Sequence, residues 1–148
     1  MPAELQHFGL RLHPHEGREQ VFELLVDYQP YLPVLSDYET AFAGRIAGDY
    51  QPGLSLKSLI DNSSKVVPFV CTCPDPFCWF ITVTVEIIKD INADYVMWHR
   101  WRNPFRADKN KASQGLFWNY SGLPPLVFAY DQYHAEIERA RLLVTQGE

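Results

Sequence analysis

A chain of 148 residues, 47% hydrophobic and 21% charged, has the size and composition of one globular domain. Its net charge of −5 sets the surface as a whole against a polyanion, which disfavours nucleic acid as a partner. Three cysteines are an odd number and too few for a disulfide scaffold, so a reducing cytoplasm is the expected setting. The opening MPAELQHFGLRLHPH has no basic start followed by an apolar run, and no window approaches the ~18 apolar residues that cross a bilayer. Neither a signal peptide nor membrane association is expected.

Taken in chain order, residues 5–12 alternate weakly and read as a first strand, ended by His13-Pro14-His15. Residues 18–28 place Val21, Leu24, Leu25 and Tyr28 at i, i+3, i+4 and i+7, which predicts a helix that Pro30 and Pro33 stop. Gly44, Gly48, Pro52 and Gly53 argue for turns and short helical pieces, and residues 55–60 for a turn or two of helix.

Beyond residue 65 the chain is rich in β-branched and aromatic residues between turn-formers. Strands are expected at 66–73, 79–89 and 94–102 as antiparallel neighbours, the last two forming a hairpin. In the middle strand Ile81, Val83, Val85 and Ile87 share one face and Thr82, Thr84 and Glu86 the other. PFRADKNKASQG is a polar loop, while LFWNY and LVFAY each suggest a short strand. Asp131 reads as the N-cap of a helix over 131–144, with Tyr133, Ile137, Ala140 and Val144 on one stripe. The expected architecture is a single α+β domain over 1–148, a mostly antiparallel sheet of four to five strands with two main helices on one face.

Two segments invite a functional reading. Cys71, Cys73 and Cys78 fall within eight positions around Pro74-Asp75-Pro76. A zinc site would need a fourth ligand, with His99 the first candidate and His13, His15 and His134 the others. The C-x-C-x4-C spacing supplies no second ligand pair, and the flanking Val70, Trp79 and Ile81 look like core. Buried, reduced thiols without metal are therefore expected, and no cofactor is implied. A redox or nucleophilic role lacks a C-x-x-C pair or a base.

The second segment runs from Trp98 to Lys111, where five basic residues face Asp108 alone, a local charge of +4 that leaves −9 on the remainder. On a regular strand Trp98, Arg100 and Arg102 share one face, and Met97, His99 and Trp101 the other. With Arg106, these tryptophans and arginines make a candidate platform: Trp98, Arg100, Trp101, Arg102 and Arg106 for an anionic or aromatic ligand or a protein partner. An acidic patch on a second copy would serve, giving a homodimer. The competing reading places the tryptophans in the core and the arginines along a sheet edge.

The ordered set C-T-C…C-W, Trp98, Asn103-Pro104-x-Arg106, Trp118-x-Tyr120 and Phe128-x4-Tyr133 resembles a family of small bacterial proteins without an assigned activity. That family shows C-x-C-G-x-x-G-C-W, a tryptophan strand, a Pro-x-Arg step and an F-x4-Y ending. The resemblance covers the C-terminal half, departs at Pro74 and Pro76 where the family has glycine, and implies a shared fold. In size the chain also resembles accessory proteins of mobile, integron-type gene cassettes.

Recognisable enzyme motifs are lacking: there is no G-x-S-x-G, G-x-x-x-x-G-K-[ST], H-E-x-x-H or G-x-G-x-x-G. Asp27, Asp37, Glu39 and Asp49 are carboxylates whose spacing sets up no pair. The expected function is a cytoplasmic, non-enzymatic binding module. The alternatives are a zinc-stabilised protein and a small-molecule enzyme with a site assembled from distant positions.

Overall fold

In the computed structural model, which describes residues 5–13, 21–43, 50–71, 80–104 and 119–146, FGLRLH forms strand β1 (Phe8–His13). It pairs antiparallel with β2 (Val21–Val26), Phe8 opposite Val26 and His13 opposite Val21. The helix expected over 18–28 is therefore corrected to a strand. Its apolar residues fit helical spacing, but Phe22, Leu24 and Val26 fit a period of two equally well, and Phe22 and Leu24 are the buried ones. An isolated helix of that length is marginal in water, whereas β1 offers a ready partner, so pairing decides.

Asp27 and Tyr28 both have positive φ (52° and 70°), and they turn β2 directly into β3 (Gln29–Pro30) as a two-residue hairpin loop. Helix α1 follows at Leu32–Ala43. Pro33 lies in its first turn, where the missing N–H has no intrahelical acceptor to lose, so it starts a helix instead of stopping one.

Strands β4 (Tyr50–Pro52) and β5 (Leu54–Ser55) are separated by Gly53 alone, yet they join different sheets. β5 pairs with β2, and β4 with the next long strand, β6 (Lys65–Cys71). A Cβ at Gly53 would stand 2.9 Å from Val70 Cγ1 and 3.2 Å from the Val67 carbonyl oxygen, so only glycine passes this close to β6. The single turn of α2 (Leu56–Ile60) comes between β5 and β6, as expected for residues 55–60.

The five-stranded sheet runs β4-β6-β7-β8-β9, with β7 at Phe80–Lys89, β8 at Asp94–Arg102 and β9 at Leu126–Ala129. All its pairings are antiparallel, and the expected hairpin of β7 and β8 is present. The suggested strand LVFAY appears as β9. Of LFWNY, residues 116–118 lie outside the described residues, and Asn119 and Tyr120 are in no strand. The α+β class with antiparallel sheets holds, among the described residues as a five-stranded and a four-stranded sheet with three helices. Among the described residues no helix is long and apolar enough to cross a membrane.

Helix α3 (Tyr130–Gln146) begins one residue before Asp131, which lies in its first turn and is not its N-cap; of the expected stripe it buries Tyr133, Ile137 and Ala140, with Val144 partly buried. Tyr133 joins an aromatic cluster with Phe8, Trp98 and Phe128, its ring 4.4 Å from Phe8 and stacked on Phe128 at 6.0 Å. The two sheets touch beside it through a parallel bridge, Gln6 to Phe128, in which Gln6 N–H donates to the Val127 carbonyl at 2.8 Å. Farther along β1, α3 side chains take over its outer edge. Gln132 Oε1 accepts the Phe8 N–H at 2.8 Å and Gln132 Nε2 donates to the Phe8 carbonyl at 2.7 Å. Glu136 Oε2 accepts the Leu10 N–H and Arg139 donates to the Leu10 carbonyl, both at 2.7 Å. Residues at i, i+4 and i+7 of one helix thus stand in for a strand, satisfying an edge that would otherwise be open.

Candidate functional site

The end of β8 departs from regular strand geometry. Thr84 lies opposite His99 and Thr82 opposite Arg102, so β8 spends three residues where β7 spends two. Arg100 occupies this bulge with φ of 59°, a left-handed conformation rare for a long side chain. One extra residue shifts the alternation. Trp98 and Trp101, which belong to opposite faces of a regular strand, are both buried, at 0% and 5% exposure.

This corrects the expected sharing of faces. Both indoles are core: Trp98 Nε1 donates to the Tyr133 hydroxyl at 3.3 Å, and Trp101 stacks on Tyr31 at 5.2 Å. Arg100 and Arg102 are exposed. Among the described residues Arg11, Lys89, Arg139 and Arg141 each meet a carboxylate, whereas Arg100 and Arg102 form no ion pair. Arg106 lies outside the described residues.

His99 sits beside the two arginines, its Nε2 2.9 Å from Glu86 on β7. That carboxylate is its partner here. The Cys71 side chain, Cys73 and Cys78 lie outside the described residues, so the buried-thiol and metal readings both fall there. Among the described residues no three His, Cys, Asp or Glu side chains are grouped to hold a metal.

Just past β8 the chain joins a buried polar cluster. Glu39 of α1 and Asn103, just past β8, are both at 0% exposure. The Tyr50 hydroxyl of β4 donates to Glu39 Oε2 at 2.8 Å, and the Tyr120 hydroxyl donates to the same oxygen. Tyr50 also hydrogen-bonds Asn103. Both phenols are pushed far above the ordinary tyrosine range, first by burial and then by the Glu39 carboxylate beside them.

Next to Glu39, Tyr38 donates its hydroxyl to the Asn119 carbonyl at 2.8 Å and accepts the Gly122 N–H at 3.1 Å. A Cβ at Gly122 would stand 2.8 Å from that hydroxyl oxygen. Two consecutive residues of α1 therefore fasten the 119–123 segment beside the end of β8.

Sequence reasoning named Glu39 only as an unpaired carboxylate and missed Tyr50 and Tyr120, which are 11 and 81 positions away. One local signal was present. Glu39 follows the fully buried Leu35 by four residues, which puts a charge on the apolar face of α1.

At the other end of β8, roughly 26 Å away at ~3.3 Å per residue, lies a shallow acidic groove of about 430 Å³. Asp90, Asp94 and Asp131 line it, with Tyr130 and the fully exposed Ile91. No protein family model, curated protein or solved structure matches the chain.

Proposed function

We propose that this protein is a non-enzymatic accessory module that binds an anionic group of its partner at Arg100 and Arg102. The observation that supports this most directly is the Arg100 bulge. A left-handed arginine costs on the order of 1 kcal/mol relative to glycine. Here that strained residue displays an exposed guanidinium with no ion pair among the described residues. Backbone strain of this kind persists where surrounding packing overrides it, and it concentrates at functional positions.

The packing is present. Trp101 stacked on Tyr31, and Asn103 over the Glu39 cluster, anchor the residues on either side of Arg102. A rigid base of this kind lowers the entropy lost when a guanidinium closes on a carboxylate or phosphate. With both indoles in the core, the ligand is recognised by its charge and not by stacking. The acidic groove of a second copy is one source of such a group, and a separate acidic or phosphorylated partner is another.

The test is calorimetric titration with inorganic phosphate and with a poly-glutamate peptide at two salt concentrations, alongside sizing of the free protein. Wild type binds one of the probes or self-associates, more weakly at high salt. Arg100→Ala and Arg102→Ala each lower that affinity about tenfold, as for loss of one charged hydrogen bond. If neither variant changes binding or association while both remain folded, the reading fails.

A further inference from the structure

The hairpin from β2 to β3 turns on Asp27 and Tyr28, both left-handed, with φ of 52° and 70°. Two-residue turns of this kind favour Asn-Gly or Asp-Gly, because glycine takes the second position without strain. Here a tyrosine takes it, and burial does not compensate: Tyr28 is 72% exposed. One face of its ring lies on His7, with centroids 4.2 Å apart and planes 17° from parallel. The ring is held in place while most of its surface stays in water.

We propose that this hairpin tip docks an arginine side chain of a protein partner, its guanidinium lying flat on the outer face of Tyr28 and bonding to Asp27. The carboxylate is already positioned. Asp27 Oδ1 accepts the His7 N–H at 2.8 Å, and the Asp27 N–H donates to the His7 carbonyl at 2.9 Å. Among the described residues its other oxygen makes no hydrogen bond and the side chain no ion pair. Nor does the stack supply a cation of its own. Gln132 Oε1 accepts the Phe8 N–H, so Gln132 Nε2 is the donor of that amide, and it lies 3.3 Å from His7 Nε2. His7 Nε2 is therefore an acceptor, and the ring is the uncharged tautomer with its hydrogen on the buried Nδ1.

An electron-rich ring face beside a carboxylate attracts a cation. Arginine suits the pair better than lysine. A planar guanidinium stacks through its face and donates to a carboxylate through its edge, both at once. An ammonium is a compact, strongly hydrated charge that gains little from a flat ring. Charge favours a cationic partner as well, since the chain outside residues 98–111 sums to −9. Ring and carboxylate are fixed before the partner arrives, so little rotamer freedom is lost on docking. The site shares no residue with Arg100 and Arg102, and it goes beyond the function proposed for them.

The experiment titrates the full, isotope-labelled chain with three blocked tripeptides, Gly-Arg-Gly, Gly-Lys-Gly and Gly-citrulline-Gly. It follows the NMR signals of His7, Asp27 and Tyr28. The arginine peptide is expected to saturate these signals with an affinity about fivefold above that of the lysine peptide. Citrulline has the shape without the charge and should not saturate them. Asp27→Asn keeps an acceptor for the His7 N–H, and Tyr28→Gly relieves the turn, so both variants stay folded. The first should lower the arginine-peptide affinity about tenfold and the second about fivefold. Arg100→Ala and Arg102→Ala leave it unchanged, so this site and the arginine site fail or survive separately. Three results each overturn the proposal: no saturable shift at the three residues, equal binding of the arginine and citrulline peptides, or an affinity indifferent to both hairpin variants.

Discussion

Trp98 and Trp101 are three residues apart on one strand and both face the core, because Arg100 between them takes a left-handed turn. Glycine adopts that conformation without strain. Arg100→Gly is therefore expected to raise stability by about 1 kcal/mol while lowering the anion affinity of the site about tenfold. Urea unfolding should show a higher midpoint at an unchanged slope. A lower midpoint would mean that the arginine side chain itself holds the bulge. Arg100→Ala keeps the strain and should show no such gain.

Glu39 tests the buried cluster. Glu39→Ala leaves the Tyr50 and Tyr120 hydroxyls without their acceptor and opens a void, so a loss of about 2–4 kcal/mol is expected. Glu39→Gln keeps an acceptor oxygen and should lose less. It also removes the charge that helps hold both phenols high, so their ionisation should move to lower pH, though burial still keeps it above the ordinary value. Ultraviolet tyrosine titration of the two variants reads this directly.

Glu136 links acidity to the grip of α3 on β1. Burial alone would raise its carboxyl, but the Arg139 hydrogen bond and the Leu10 N–H outweigh it and hold the group below its ordinary value of 4.5. A depressed carboxyl stabilises the fold above the unfolded value, and the contribution is lost as pH falls through the folded one. The stability difference between wild type and Glu136→Gln should therefore be constant above about pH 5.5 and shrink below about 4.5. Chemical denaturation across pH 3–7 checks it, and a difference independent of pH would show that the carboxylate charge contributes nothing.

Tyr133 is raised to about 12, chiefly by burial, with the Trp98 hydrogen bond pulling the other way. Tyr133→Phe removes the acceptor of the Trp98 indole N–H, so a loss of about 1 kcal/mol is expected. The variant should also lack one late step in the alkaline titration. A Tyr133 that ionises near 10 would place it in water and contradict its burial.

The hairpin of β7 and β8 and helix α3 were legible because their signals are local. Ile81 and Val83 alternate across one strand, and Tyr133, Ile137 and Ala140 repeat on one helical stripe, so neighbours along the chain carry the information. Residues 21–26 were not, because VFELLV satisfies helix and strand spacing alike and only the presence of β1 chooses between them.

By itself the sequence determined the α+β composition, the main antiparallel strands, the buried stripe of α3 and the excess of cations near the end of β8. The tertiary structure decided everything that depends on a partner far away in the chain. The bulge at Arg100 depends on β7 opposite, and it alone makes Trp101 core while Arg102 faces out. The burial of Glu39 depends on hydroxyls 11 and 81 residues away, and the closed edge of β1 on side chains more than 120 residues distant. Periodicity records which face a residue takes on a regular element; it carries no record of register slips or of polar groups that meet only after the chain has folded.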